Sequence, residues 1–157
     1  MYFCNLLKQV QNYMIQRIQT IFLLLATIVS GVVANIFSLW KATYDAYFIA
    51  YESLVNESLL IKPIGVLFIV SAILSFVTIF LFKNRKSQFV MNRVNILVNF
   101  LLLGLIVYNL LNVSGEILVS EKGIGSFLPI ISIFLLVFAN RFIKKDEDLV
   151  KSVDRLR

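Results

Sequence analysis

The chain has 157 residues, of which 59% are hydrophobic and only 15% charged, and its mean hydropathy is +0.86. A water-soluble domain runs near half apolar and a quarter charged, so this composition excludes an ordinary soluble fold and leaves room for one membrane domain. Cys4 is the single cysteine and there is no histidine, which excludes an intramolecular disulfide and His/Cys metal sites, while the net charge of +6 sits beside apolar blocks, pointing to anionic lipid and not to nucleic acid.

Residues 1–13 carry one basic residue, Lys8, and precede the first apolar block. Residues 18–40, 63–82, 94–115 and 123–140 each lack charge, and each is long enough, or nearly so, to cross roughly 30 Å of hydrocarbon at about 1.5 Å per residue. The spacing predicts four spans over 18–40, 63–82, 94–115 and 123–142. A signal-peptide reading of the first, with Val32, Val33 and Ala34 before a cleavage site, conflicts with an apolar run longer than the roughly 7–15 residues of a signal core. The fourth carries Gly123, Gly125 and Pro129 near its start; with Ser126 as helix cap, Pro129 falls in the first turn, where its missing N–H is tolerated.

In the first span Ala26, Ser30, Ala34 and Ser38 recur every fourth residue and line small side chains along one face. Such a face lets helix backbones approach closely in lipid, either inside one bundle or between two copies. Between the first two spans, Trp40, Tyr44, Tyr47, Phe48 and Tyr51 recur at spacings of three and four. This predicts an aromatic helix lying at the outer interface, with a hairpin as the alternative because Tyr47, Ile49 and Tyr51 also alternate. Ser71, Ser75 and Thr78 in the second span read only as tolerated polar groups in a strongly apolar run. In the third, Asn92, Asn95 and Asn99 near one end, and Asn109 and Asn112 near the other, must face partner helices or a wet cavity, because an unpaired amide in hydrocarbon is costly. Asn95 and Asn99 are therefore candidate packing residues. After the fourth span, residues 143–157 predict a short amphipathic helix continuing from it: Phe142, Ile143, Leu149, Val150, Val153 and Leu156 share an arc, and Glu147 and Lys151 form an i,i+4 pair. Asp146 falls inside the apolar arc, which predicts docking on a basic group such as Arg17 or Arg93.

Of the fifteen Lys and Arg residues, twelve flank one side of these spans (Lys8 and Arg17; Lys83, Arg85, Lys86 and Arg93; six from Arg141 onward). Lys41, Lys62 and Lys122 lie on the other. This bias predicts both termini and the middle loop in the cytoplasm. Asp45, Glu52 and Glu57 in the outer loop have no histidine to act with, so the sequence predicts no catalytic site, cofactor or metal and no enzyme.

Met14-Ile15-Gln16-Arg17-Ile18-Gln19-Thr20-Ile21 followed by Phe22-Leu23-Leu24-Leu25-Ala26, and Ala139-Asn140-Arg141-Phe142-Ile143-Lys144-Lys145-Asp146-Glu147 running on to Asp154-Arg155-Leu156-Arg157, resemble the opening and closing signatures of a domain-of-unknown-function family of small bacterial inner-membrane proteins with four transmembrane helices. The resemblance covers residues 14–157. It implies a bacterial cytoplasmic membrane and carries no catalytic residue over; residues 1–13 have no counterpart in it and read as an extension outside the family domain. The expected fold is an all-α membrane protein, a four-transmembrane-helix antiparallel bundle with a short amphipathic cytoplasmic C-terminal helix. The expected function is a non-enzymatic scaffold or subunit of an envelope complex, in contact with the bilayer and with a membrane-protein partner or a second copy of the chain. The alternative is a small oligomeric transporter or channel.

Overall fold

A computed structural model describes residues 18–41, 47–55, 61–113 and 123–154. Four helices in it are long and apolar enough to cross a membrane: α1 (Ile18–Ile36), α3 (Lys62–Phe80), α4 (Arg85–Val113) and α5 (Leu128–Asp154). Between α1 and α3 come β1 (Trp40–Lys41), β2 (Tyr47–Phe48) and the short α2 (Ala50–Val55). The all-α membrane bundle is thus the fold. Each long helix packs on two others in the ring α1, α3, α4, α5, so chain neighbours run antiparallel.

The direction of burial follows from the solvent. Lipid is as apolar as leucine, so large apolar side chains gain nothing by facing inward, and small or hydrogen-bonding residues take the interior instead. On α4 the buried positions are Gln88, Asn92, Asn95, Asn99, Leu102, Ile106 and Asn109, at alternating spacings of four and three. Val94, Leu97, Phe100, Leu101 and Val107 face outward. Ser71, Ser75 and Thr78 occupy the inner face of α3, and Leu23, Ala26, Ser30 and Ala34 that of α1.

Several boundaries differ from the sequence reading. The first helix stops at Ile36, because Phe37 turns extended at φ −96° and ψ 130°. Ser38 therefore lies past the helix and is not a fourth step of the small-residue face. α4 begins at Arg85, nine residues before the apolar stretch. α5 runs on to Asp154 without a break, so 143–154 continues the last span, the continuation expected after it. The predicted aromatic helix is a hairpin, with Trp40 opposite Phe48 and Lys41 opposite Tyr47, followed by α2. Trp40 is buried in a cluster with Leu39, Ala50, Ile64 and Phe68 and, from α4, Leu102 and Ile106, so it serves as core and not as an interface belt; Tyr51 is exposed and Tyr44 lies outside the described residues.

Ser126 does not cap α5. Its hydroxyl donates to the Gly123 carbonyl at 2.7 Å, and a 3-10 turn (Ile124–Phe127) leads into the helix, with Pro129 in the first turn. Gly123 and Gly125 have a specific task here: their N–H groups donate to the carbonyls of Leu39 (3.1 Å) and Ser38 (2.9 Å). A Cβ on Gly125 would sit 2.7 Å from the carbonyl oxygens of both Phe37 and Ser38, so only glycine allows this backbone approach.

Candidate functional site

Polar side chains that α1, α3, α4 and α5 turn inward meet near the middle of the bundle. Ser30 is placed there by a widened turn of α1 over Val29–Val33, in which the N–H of Ala34 reaches back five residues to the Val29 carbonyl. Asn35 donates its side-chain amide to the Gly31 carbonyl at 2.7 Å, giving a partner to one acceptor of that irregular turn. The Ser30 hydroxyl lies 3.3 Å from both the Ser71 hydroxyl on α3 and the Ser132 hydroxyl on α5. One side chain thereby joins three helices.

On the facing wall α4 is fastened to α3. Asn95 donates to the Ser75 hydroxyl at 2.7 Å and to the Ser71 carbonyl at 3.2 Å; Asn99 donates to the Ser71 hydroxyl at 2.8 Å and to the Asn95 backbone carbonyl at 2.9 Å. Further along, Asn92 donates to the Leu136 carbonyl on α5 at 2.9 Å, and Gln88 to the Thr78 carbonyl on α3 at 3.3 Å. Gln19, Ser30, Ser71, Ser75, Thr78, Gln88, Asn92, Asn95, Asn99 and Ser132 are all at most 2% exposed. The amides thus act as donors that cross between helices, the role that hydrocarbon favours. The carboxamide oxygens of Gln19, Gln88, Asn92, Asn99 and Asn140 have no donor among the described residues.

This polar seam is one-sided. Beyond Asn99 the inner face of α4 continues with Leu102 and Ile106, which pack with Ala34, Ile64, Phe68 and Leu128 into an apolar plug under the hairpin. Between α1 and α5 the seam is flanked by Leu23, Ala26, Leu136 and Ala139, with Phe22 stacked on Phe138 and Phe142 at 5.8 and 5.5 Å between ring centres. At the end where α4 starts and α5 finishes, Gln19, Gln88 and Ile143 are likewise buried.

At that basic end Asp146 is fully buried. Its partner is Arg85 on α4: Nε lies 3.2 Å from Oδ2, and Nη1 donates to the Asp146 backbone carbonyl at 3.1 Å. Arg93, one of the two partners expected from sequence, instead sits over the Phe89 ring at 4.2 Å, and Arg17 lies outside the described residues. Glu147 and Lys151 pair at 2.8 Å one turn apart.

The structure therefore brings Ser30, Asn95 and Asn99 into one network. Ala26 and Ala34 lie at helix contacts on either side of it, and Ser38 is a half-buried backbone anchor. Ser132, Gln19 and Gln88 belong to the seam and did not stand out in the sequence. Among the described residues no group of three or more Asp, Glu, Cys or His side chains comes together.

A family model described as a domain of unknown function (DUF4293) matches residues 15–156. No curated protein and no solved structure matches the chain.

Proposed function

The chain belongs to the DUF4293 family, and from its own geometry we propose that it is a non-enzymatic subunit or scaffold of a bacterial cytoplasmic-membrane complex. The observation that carries this reading is the direction of the buried polar groups. Ser30 joins Ser71 to Ser132, and Asn95 and Asn99 clasp α3, so these groups hold helices together. The apolar plug of Ile64, Phe68, Leu102 and Ile106 closes the same interior toward the hairpin end. A body of this kind presents surfaces to partners.

In this reading the basic end, with Arg85, Lys86, Arg93, Arg141, Lys144 and Lys145, faces the cytoplasm, as do both termini. The Arg85–Asp146 pair ties α5 to the start of α4, so that the two helices leave the membrane as one unit able to present a docking surface. Purification of the tagged chain from native membranes tests the proposal: a stoichiometric membrane-protein partner is the expected result, and a chain that always purifies alone or only with itself contradicts it. A second reading, a small oligomeric transporter, draws on the buried amide oxygens of Gln19, Gln88 and Asn92, which could accept from water or a cationic solute entering at the basic end. Solute and ion flux in liposomes separates the two.

A further inference from the structure

The outward face of α5 changes character along its length. Ile131, Phe134, Val137 and Phe138 are exposed and apolar; on the next turns of the same face Arg141, Lys144 and Lys145 are exposed and cationic. Leu128 to Arg141 rises about 20 Å, and the preceding 3-10 turn adds most of what is needed to reach the roughly 30 Å thickness of the hydrocarbon layer. The cations thus fall where hydrocarbon gives way to head groups. Together with Asp148 and Ser152 they line an open groove of about 420 Å³.

Two further observations separate this face from a generally basic helix end. The acid nearest in sequence, Asp146, is turned inward onto Arg85, and Glu147 is taken by Lys151, so Arg141, Lys144 and Lys145 have no ion-pair partner among the described residues. The groove keeps an excess of positive charge even with Asp148 at its rim. The apolar stripe also leads directly into the groove, so one face offers hydrocarbon contact and phosphate-binding cations in the order in which a phospholipid carries its chains and its phosphate.

We infer that this face binds one anionic phospholipid, with the phosphate among Arg141, Lys144 and Lys145 and an acyl chain along Phe134, Val137 and Phe138. A soluble phosphate or an acidic peptide would use the cations and leave the stripe unused, which is why the lipid is the better occupant. The inference stands apart from the subunit reading, because the face points outward whichever partner the chain has.

The test uses the purified full-length chain in detergent, titrated with phosphatidylglycerol or phosphatidylcholine, with bound lipid counted by native mass spectrometry. Each cation near the head groups is worth roughly fivefold, so the three together should let phosphatidylglycerol bind on the order of a hundredfold tighter than phosphatidylcholine. Arg141→Gln/Lys144→Gln/Lys145→Gln should bring that ratio to within about twofold, whereas Lys86→Gln/Arg93→Gln, exposed cations at the same end but on α4, should leave it intact. Should the triple variant fail to accumulate, Lys144→Gln alone should lower the ratio a few-fold, and Phe134→Gln should weaken both lipids without changing it. An unchanged ratio in the face variants, an equal loss in the α4 variant, or displacement of the lipid by glycerol phosphate or an acidic peptide at equal concentration would overturn the inference.

Discussion

Ser30→Leu raises the hydropathy of a membrane span and should nevertheless destabilise the protein. Ser30 is 2% exposed, and its hydroxyl has an oxygen at 3.3 Å on either side, Ser71 and Ser132. Leucine places a branched side chain in that space, and overpacking of this kind costs about 1–3 kcal/mol. The two lost interhelical hydrogen bonds add about 0.6 kcal/mol each, the average measured for such bonds in membranes. Greater affinity for lipid returns roughly 0.5 kcal/mol, so the net loss should be about 2–4 kcal/mol. Ser30→Ala should lose only about 1 kcal/mol, since it removes the bonds without adding volume. Val32→Leu is the control, because Val32 is 56% exposed two residues away and faces lipid. The assay is reversible unfolding in mixed micelles with increasing denaturing detergent. If Ser30→Leu unfolds with the same midpoint as Val32→Leu, Ser30 faces lipid and the three-helix junction is wrong.

Gly125→Ala should cost about 1–3 kcal/mol, because its Cβ meets the Phe37 and Ser38 carbonyl oxygens at 2.7 Å; an unchanged unfolding midpoint would mean that the loop beneath α5 is not packed this way. Arg85→Gln leaves Asp146 buried without its cation and should lose about 1–3 kcal/mol, less than for a fully buried pair because Arg85 is 24% exposed. Adding Asp146→Asn to that variant should recover part of the loss in the same assay, and no recovery would separate the two residues. Fusing periplasm-active and cytoplasm-active reporters after Leu54, Lys86, Glu121 and Arg157 should report outside, inside, outside and inside; periplasmic activity at Arg157 would reverse the proposed orientation.

The helices and their inward faces were legible because a bilayer constrains sequence strongly: charge is expelled from the spans, and amides such as Asn95 and Asn99 have nowhere favourable to go but inward. The hydroxyl partners were not. A serine or threonine in a helix can donate to its own backbone, as Thr27 does to the Leu23 carbonyl at 2.9 Å and Thr78 to the Leu74 carbonyl at 2.6 Å, so its presence in a span does not say which way it faces. Only the assembled bundle shows that Ser71, Ser75 and Ser132 are the acceptors and bridges. Residues 40–51 carried both a helical and an alternating pattern, and backbone pairing of Trp40 with Phe48 decided for the hairpin. Gly123 and Gly125 counted against a helix when read locally, yet they permit its docking, since the backbone they approach lies more than eighty residues earlier. The inward turn of Asp146 followed from its place in the apolar arc. Its partner did not, because Arg85 comes within reach only when α4 begins nine residues ahead of its apolar stretch.

The polar seam fastens α4 to α3, and a double-mutant cycle between Asn95 and Ser75 measures that fastening across the helix interface. Asn95 donates to the Ser75 hydroxyl at 2.7 Å across the helix interface. Asn95→Ala, Ser75→Ala and the double variant, unfolded in mixed micelles, should give a favourable coupling of about 0.6–1.7 kcal/mol. Strictly additive effects, with a coupling near zero, would contradict the account.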